Sequence, residues 1–105
     1  MANEVFLGTE LKLNISVDTI DTYTMDDYEF EVELFCSQKR IITQNKDKLI
    51  RIDSNNYVIL ADSAELGAGE LKCKFKAFIP DPDFEDKIRT EICAISTGIN
   101  IIKNI

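Results

Sequence analysis

Residues 70–79 read ELKCKFKAFI, a run in which apolar and polar side chains alternate at almost every position. The polar positions carry one glutamate and three lysines. The apolar positions are Leu71, Cys73, Phe75, Ala77 and Ile79. Because successive side chains of a β-strand point to opposite faces, this period of two predicts a strand with one face in a core and the other in water.

Two other stretches repeat this alternation, and shorter β-like runs fill the sequence between them. The two stretches are residues 11–17, LKLNISV, and residues 30–36, FEVELFC. The shorter predicted strands are Lys39–Thr43, Leu49–Ile52, Tyr57–Leu60, Ile88–Ser96 and Ile99–Ile102. The last of these either continues its predecessor after a kink at Gly98 or forms an edge strand. Seven to eight strands in 105 residues predict one all-β, antiparallel sandwich domain that spans residues 1–105.

One helical turn is predicted at residues 62–67, DSAELG. Asp62 or Ser63 would cap its start, and Gly67 would end it in a left-handed conformation. No other segment carries an apolar stripe at helical spacing, so helix should be a minor component.

The charge balance and the absence of histidine exclude several functional classes. The 12 basic and 19 acidic residues give a net charge of −7, so we expect neither nucleic acid nor an anionic membrane as a partner. A chain without histidine has no Ser-His-Asp or Cys-His arrangement and lacks the commonest zinc ligand. We therefore predict a non-enzymatic protein with no catalytic residue, no metal site and no cofactor. The start lacks a secretion signal, so we expect a protein that is cytoplasmic as synthesised.

The three cysteines, Cys36, Cys73 and Cys93, are widely spaced and form no CxxC motif. Each stands in an apolar β-like run, which predicts buried free thiols that act as small hydrophobic side chains. A Cys36–Cys73 disulfide is the alternative.

Two acidic loops that contain aromatic residues are the candidate binding loops: residues 18–28, DTIDTYTMDDY, and residues 80–86, PDPDFED. Exposed aromatic rings can stack on sugars or anchor a protein partner. The alternative is that these rings fold back over the open end of the sandwich. An EF-hand spacing fails at Ile20 and Tyr23, and a calcium site built from loop aspartates stays open as a further alternative. The candidate binding residues are Tyr23, Asp26, Asp27, Tyr28, Asp81, Asp83 and Phe84.

Residues 99–105, INIIKNI, contain four isoleucines in seven positions. A segment this apolar either packs across its own sheet or docks on another chain. The candidate association residues are Ile99, Ile101 and Ile102.

Residues 62–74, DSAELGAGELKCK, resemble the corner that leads into the sixth strand of immunoglobulin-like domains. Leu71 departs from that pattern, because such domains often have a tyrosine there. More broadly, residues 11–102 are similar to small immunoglobulin-like modules of phage and prophage tail or baseplate proteins, such as the N-terminal domain of baseplate upper proteins. The segments that carry this resemblance are LKLNISVDT (11–19), MDDYEFEVELF (25–35), RIDSNNYVIL (51–60), LGAGELKCKFKAFIPD (66–81) and RTEICAISTGINI (89–101).

This resemblance implies an immunoglobulin-like sandwich with a non-catalytic structural or adaptor role in a phage-like or mobile-element assembly, where it would form part of a phage particle. Such a module acts through protein–protein contacts, with a partner or by self-association, and the resemblance identifies no ligand. The alternative function is binding of a carbohydrate or another small ligand through the acidic, aromatic loops.

Overall fold

The computed structural model describes residues 3–37 and 40–103, which form two β-sheets that enclose one hydrophobic core. Three 3-10 helices of three residues each, Met25–Asp27, Lys46–Lys48 and Ser63–Glu65, lie between strands. The strands are β1 (Asn3–Phe6), β2 (Glu10–Ser16), β3 (Glu29–Ser37), β4 (Arg40–Asn45), β5 (Ile50–Asp53), β6 (Asn56–Asp62), β7 (Gly69–Pro80) and β8 (Ile88–Ile102).

The larger sheet has the strand order β1-β8-β7-β3-β4, and the smaller sheet has the order β2-β6-β5. Neighbouring strands are antiparallel except β1, which runs parallel to β8. Strand β1 covers β8 only from Ile99 to Ile102. Within the described part of the chain, residues 88–96 of β8 therefore pair with β7 on one side and form an open edge of the sheet on the other.

The core is built from the inward faces of the three alternating stretches that the sequence shows. Leu34, Leu71 and Phe75 are fully buried in the larger sheet, and Ile59 is fully buried in the smaller one. The Phe30 ring lies 5.0 Å from Phe75 and 5.2 Å from Tyr57, centroid to centroid, so aromatic contacts join the two sheets.

The prediction of an all-β, mainly antiparallel, sandwich-like fold is confirmed. The three alternating stretches form β2, β3 and β7. The start of one shorter predicted strand, Lys39, lies outside the described residues, and the strand itself runs as Arg40–Asn45. Strand β1 was not predicted, because NEVF is too short to show a period of its own.

The last two predicted strands are one continuous strand, β8. The register against β7 shifts between Glu70 and Lys72, where three residues of β8 stand opposite Leu71. Gly98 has a φ of +71° in this bulge, a conformation that glycine adopts without a Cβ penalty. The segment after the kink is flanked by β1 and β7, so it is an inner part of the sheet.

The predicted turn at residues 62–67 is present as the 3-10 helix Ser63–Glu65. The Asp62 carboxylate accepts a 2.9 Å hydrogen bond from the Ala64 backbone N–H, and Gly67 has a φ of +85°. Buried Ser63 accepts a hydrogen bond from the Gly8 N–H at 2.9 Å, which ties the turn to the β1–β2 connection. The described residues contain no helix long and apolar enough to cross a membrane.

Candidate functional site

The first acidic loop, residues 18–28, folds back onto the sandwich. Its tip is closed by paired backbone hydrogen bonds between Ile20 and Tyr23, at 2.8 and 2.9 Å. Met25 is fully buried, and Tyr23 is half-buried against the core. The Asp27 carboxylate accepts hydrogen bonds from the Thr24 backbone N–H at 2.8 Å and from its hydroxyl at 3.1 Å. This loop is therefore held by its own contacts, and Asp27 serves to cap the turn.

Asp26 connects the first loop to the smaller sheet. Its two oxygens share a bifurcated hydrogen bond from the Arg51 Nε–H, at 2.9 and 3.0 Å, and the carboxylate also accepts one from Nη2 at 2.8 Å and one from the Tyr57 hydroxyl at 2.5 Å. Hydrogen bonds from Arg51 and Tyr57 lower the pKa of Asp26 to about 2. Burial and the bond to Asp26 raise the pKa of Tyr57 to about 12. The carboxylate thus fastens the loop and has its oxygens occupied by protein donors.

Tyr28 lies in the core rather than on the loop surface. Its ring makes edge-on contacts with Phe30 and Phe75, with centroids 6.0 and 6.5 Å apart. Burial raises the pKa of its hydroxyl to about 12, and the hydroxyl has no hydrogen-bond partner among the described residues. Tyr28 precedes Phe30 by two residues, so it continues the inward face of β3, which places this ring inside.

The second acidic loop joins the first through Arg89. The Arg89 guanidinium donates a 2.7 Å hydrogen bond to Asp81 of the second loop and another to Asp21 of the first. Asp81 also accepts a hydrogen bond from the Asp83 backbone N–H at 3.0 Å, which shapes the loop. The structure therefore brings the two candidate loops together through Arg89, which was not among the predicted site residues.

Of the seven candidate binding residues, Asp83 and Phe84 are the ones left exposed without a side-chain contact that fixes them in the described structure. No group of three or more acidic or cysteine side chains within residues 3–37 and 40–103 has the proximity to hold a metal ion. Hydrogen bonds thus fix the two loops to each other and to the smaller sheet, and most of the candidate binding residues take part in such contacts or lie in the core.

The outer faces of the two sheets differ in chemistry. The larger sheet carries cross-strand ion pairs, Glu31 with Lys76 at 3.5 Å and Glu33 with Lys74 at 3.9 Å. The smaller sheet carries Ile50, Ile52 and Leu60, all about half exposed, around Val58. We call these four residues the small-sheet patch. Val58 is buried, yet it stands outside the core cluster because it lies opposite Ile50 on the outer face.

The small-sheet patch was not predicted from the sequence, although a signal was present. Residues 57–60, YVIL, are apolar at every position, so one face of that strand had to be apolar outside the core. Ile50 and Ile52 add the same feature on the neighbouring strand.

All three cysteines are free thiols, as predicted, but their burial differs. Cys73 is buried and Cys36 is half-buried, and burial raises the pKa of both thiols, that of Cys73 to about 11. Cys93 is exposed, which contradicts the prediction of burial. It points to the inner face of β8 opposite Phe75, but it stands on the open β8 edge, where no strand of the described chain flanks it on the outer side.

The three candidate association residues lie in the chain's own sheet. Ile101 is fully buried, and Ile99 and Ile102 are half-buried between β1 and β7. These contacts correspond to the alternative in which the segment packs across its own sheet.

Comparison with protein-family models, with curated proteins and with solved structures gave no match for this chain.

Proposed function

We propose that this domain is a non-catalytic structural or adaptor module that acts through protein–protein contacts. The observation that carries the proposal is the small-sheet patch. Ile50, Ile52 and Leu60 expose between 45 and 56% of their surface on the neighbouring strands β5 and β6, and Ile50 stands opposite Val58 on the outer face. Clustered apolar side chains on a chain with 30% charged residues are typical of an interaction surface.

The rest of the surface supports this choice of face. The middle of the opposite outer face carries Glu–Lys pairs, which contribute little to binding, and its exposed isoleucines Ile88 and Ile92 lie at the β8 edge. Polar side chains on β2, among them Lys12 and Asn14, stand beside the patch as a rim. An apolar centre with a polar rim is the usual layout of a protein interface.

We also propose that the sandwich is immunoglobulin-like. The strand order β1-β8-β7-β3-β4 corresponds to A′-G-F-C-C′ of such domains, and β2-β6-β5 corresponds to B-E-D. The turn Ser63–Glu65 then occupies the E–F corner, which lies within residues 62–74, the segment that resembles this corner in sequence. Leu71 is buried in the position of the customary tyrosine, so this corner is held by packing and by Ser63 instead.

The proposed setting is a phage-like or mobile-element assembly. It rests on the resemblance of residues 11–102 to tail and baseplate modules, in which immunoglobulin-like domains serve as structural parts. A module of this kind needs an apolar contact surface and no reactive centre, and the small-sheet patch meets the first requirement.

The test is loss of a protein partner when the patch is made polar. Tagged wild-type protein, an Ile52→Lys/Leu60→Lys variant and a control Glu33→Gln/Lys74→Gln variant are recovered from the cells that produce the protein. We expect the wild type and the control to retain the same partner, and the patch variant to bind that purified partner about tenfold or more weakly by calorimetry.

Two outcomes would overturn the proposal. One is an unchanged affinity of the patch variant for the partner. The other is carbohydrate binding by the purified domain that disappears in Phe84→Ala, which would favour the acidic, aromatic loops.

A further inference from the structure

The open β8 edge, residues 88–96, has few of the features that normally protect a sheet edge. Exposed edges are usually kept short, interrupted by proline or bulges, covered by a loop, or protected by charged side chains, including charges that point inward. This edge spans nine residues without proline, and the bulge near Gly98 lies beyond it. Its charged residues, Arg89 and Glu91, face inward and pair with each other, and Arg89 also pairs with Asp21 and Asp81, so inward-pointing charge is the main protective feature of the described edge. The unpaired backbone groups of β8 remain available to a further strand.

The side chains on the outer face of this edge are apolar or uncharged. Ile88, Thr90 and Ile92 alternate with the two charged residues and point to the outer face together with Lys76 and Phe78 of β7. Ile92 exposes 57% of its surface and Ile88 exposes 42%. The edge thus combines free backbone groups with β-branched side chains, which favour strand pairing.

We propose that the open β8 edge pairs with the same edge of a second copy of this chain, antiparallel and centred on Thr90. Residues opposite each other in an antiparallel pair lie on the same face. In this register Ile88 stands opposite Ile92 of the second copy, and Arg89 stands opposite Glu91. The two-fold symmetry repeats each contact, so the pair gains two apolar contacts and two opposite-charge contacts.

Neighbouring registers lack this complementarity. A pair centred on Glu91 places two carboxylates opposite each other, and a pair centred on Arg89 does the same with two guanidinium groups. A pair centred on Ile92 leaves Arg89 opposite Ile95. Like charges directly opposite destabilise a pair, so the Thr90 register is favoured among these four.

This inference concerns a different surface from the small-sheet patch, and the two can be tested separately. Sedimentation of the full chain over a range of concentrations should show a species with the mass of two chains. Ile92→Lys should raise the dissociation constant of that species about tenfold or more. Ile41→Lys is the matched control, because Ile41 exposes 50% of its surface on β4, at the other edge of the same sheet. Ile52→Lys tests whether the small-sheet patch joins the two copies instead. Thermal melting of the three variants checks that the fold is intact.

A disulfide test fixes the register. In a Cys93→Ser background, Thr90→Cys places two cysteines directly opposite, with Cα atoms about 4.5–5.5 Å apart, within the range of a disulfide. Ala94→Cys is the control, since its two copies would lie about 26 Å apart at 3.3 Å per residue. We expect a cross-linked dimer from Thr90→Cys and none from Ala94→Cys under the same mild oxidation.

Three results would overturn the proposal: the mass of one chain at every concentration, equal cross-linking of the two cysteine variants, or dissociation by Ile52→Lys but not by Ile92→Lys. Protection of the edge by a strand of a different protein, with the chain itself monomeric, would also overturn it.

Discussion

Strand β8 has two parts on either side of its bulge, residues 88–96 and Ile99–Ile102, which we call its N-terminal and C-terminal halves; both contain isoleucines, but their environments are opposite. The C-terminal half, Ile99–Ile102, is paired on both sides, and Ile101 keeps only 1% of its surface exposed. The N-terminal half, residues 88–96, is paired on one side and exposes Ile88, Ile92 and Cys93. Both halves contain β-branched apolar residues, so side-chain type does not determine which of them is buried.

What separates the halves is the reach of two other elements. Strand β1 pairs with four residues of β8 and no more, and on the inner face Phe75 of β7 is buried whereas Cys93 beside it on the β8 edge is exposed. Burial in this strand therefore follows topology, that is, how far β1 extends along β8.

The largest expected effect comes from truncating an isoleucine in the covered half. Ile101→Ala should lower the free energy of unfolding by about 2–5 kcal/mol, because it opens a cavity in the core. Ile92→Ala in the open half should change it by no more than about 0.5 kcal/mol at dilute concentration. Urea denaturation of both variants measures the difference. Equal losses would mean that the two halves are not distinct.

The junction between the halves should have an intermediate effect. The Thr97 hydroxyl donates a 2.8 Å hydrogen bond to the Leu71 carbonyl and accepts one from the Ile99 N–H at 3.2 Å. Thr97→Val keeps the shape and removes both bonds, which should cost roughly 1 kcal/mol. Thr97→Ser keeps the hydroxyl and is the control. If Thr97→Ser destabilises as much as Thr97→Val in urea denaturation, the hydroxyl does not support the bulge.

Substitution of Cys93 should have the smallest effect on stability, but it should clearly change the reaction of the protein with a thiol reagent. In the native protein at neutral pH a thiol reagent should modify one group rapidly, Cys93, because Cys73 and Cys36 are shielded and their thiolates are disfavoured by burial. Cys93→Ser should abolish the rapid phase and leave the melting temperature unchanged. Rapid modification of two or three groups would show that the covered part of the sandwich opens easily.

The sequence predicted most of the sandwich because alternation is a local signal. Residues 11–17, 30–36 and 70–79 each show their inward face without reference to the rest of the chain, and the turn at Asp62–Gly67 carries its own cap and glycine. Strand β1 was not predicted, because its pairing partner is distant in sequence and its four residues are too few to show a period-two alternation.

The candidate site was harder to predict, because contacts between loops and sheets decide which of its residues are buried, which are hydrogen-bonded and which remain exposed. The composition of residues 18–28 indicated exposed acids and aromatics, yet Tyr28 is part of the core and Asp26 is bound by Arg51 and Tyr57. Those two partners lie on the smaller sheet and become neighbours of Asp26 only in the folded chain. The same holds for Arg89, which joins the two loops.

The parallel pairing of β1 with the end of β8 also has a consequence for the order of folding. Asn3 stands beside Ile99, so this contact joins residues separated by nearly the whole of the 105-residue chain. Contacts of such long sequence separation require a large loop to close and are associated with slow folding. During synthesis β1 has no partner until the last strand has left the ribosome, so the β2–β6 and β3–β7 pairs can form before the larger sheet is complete.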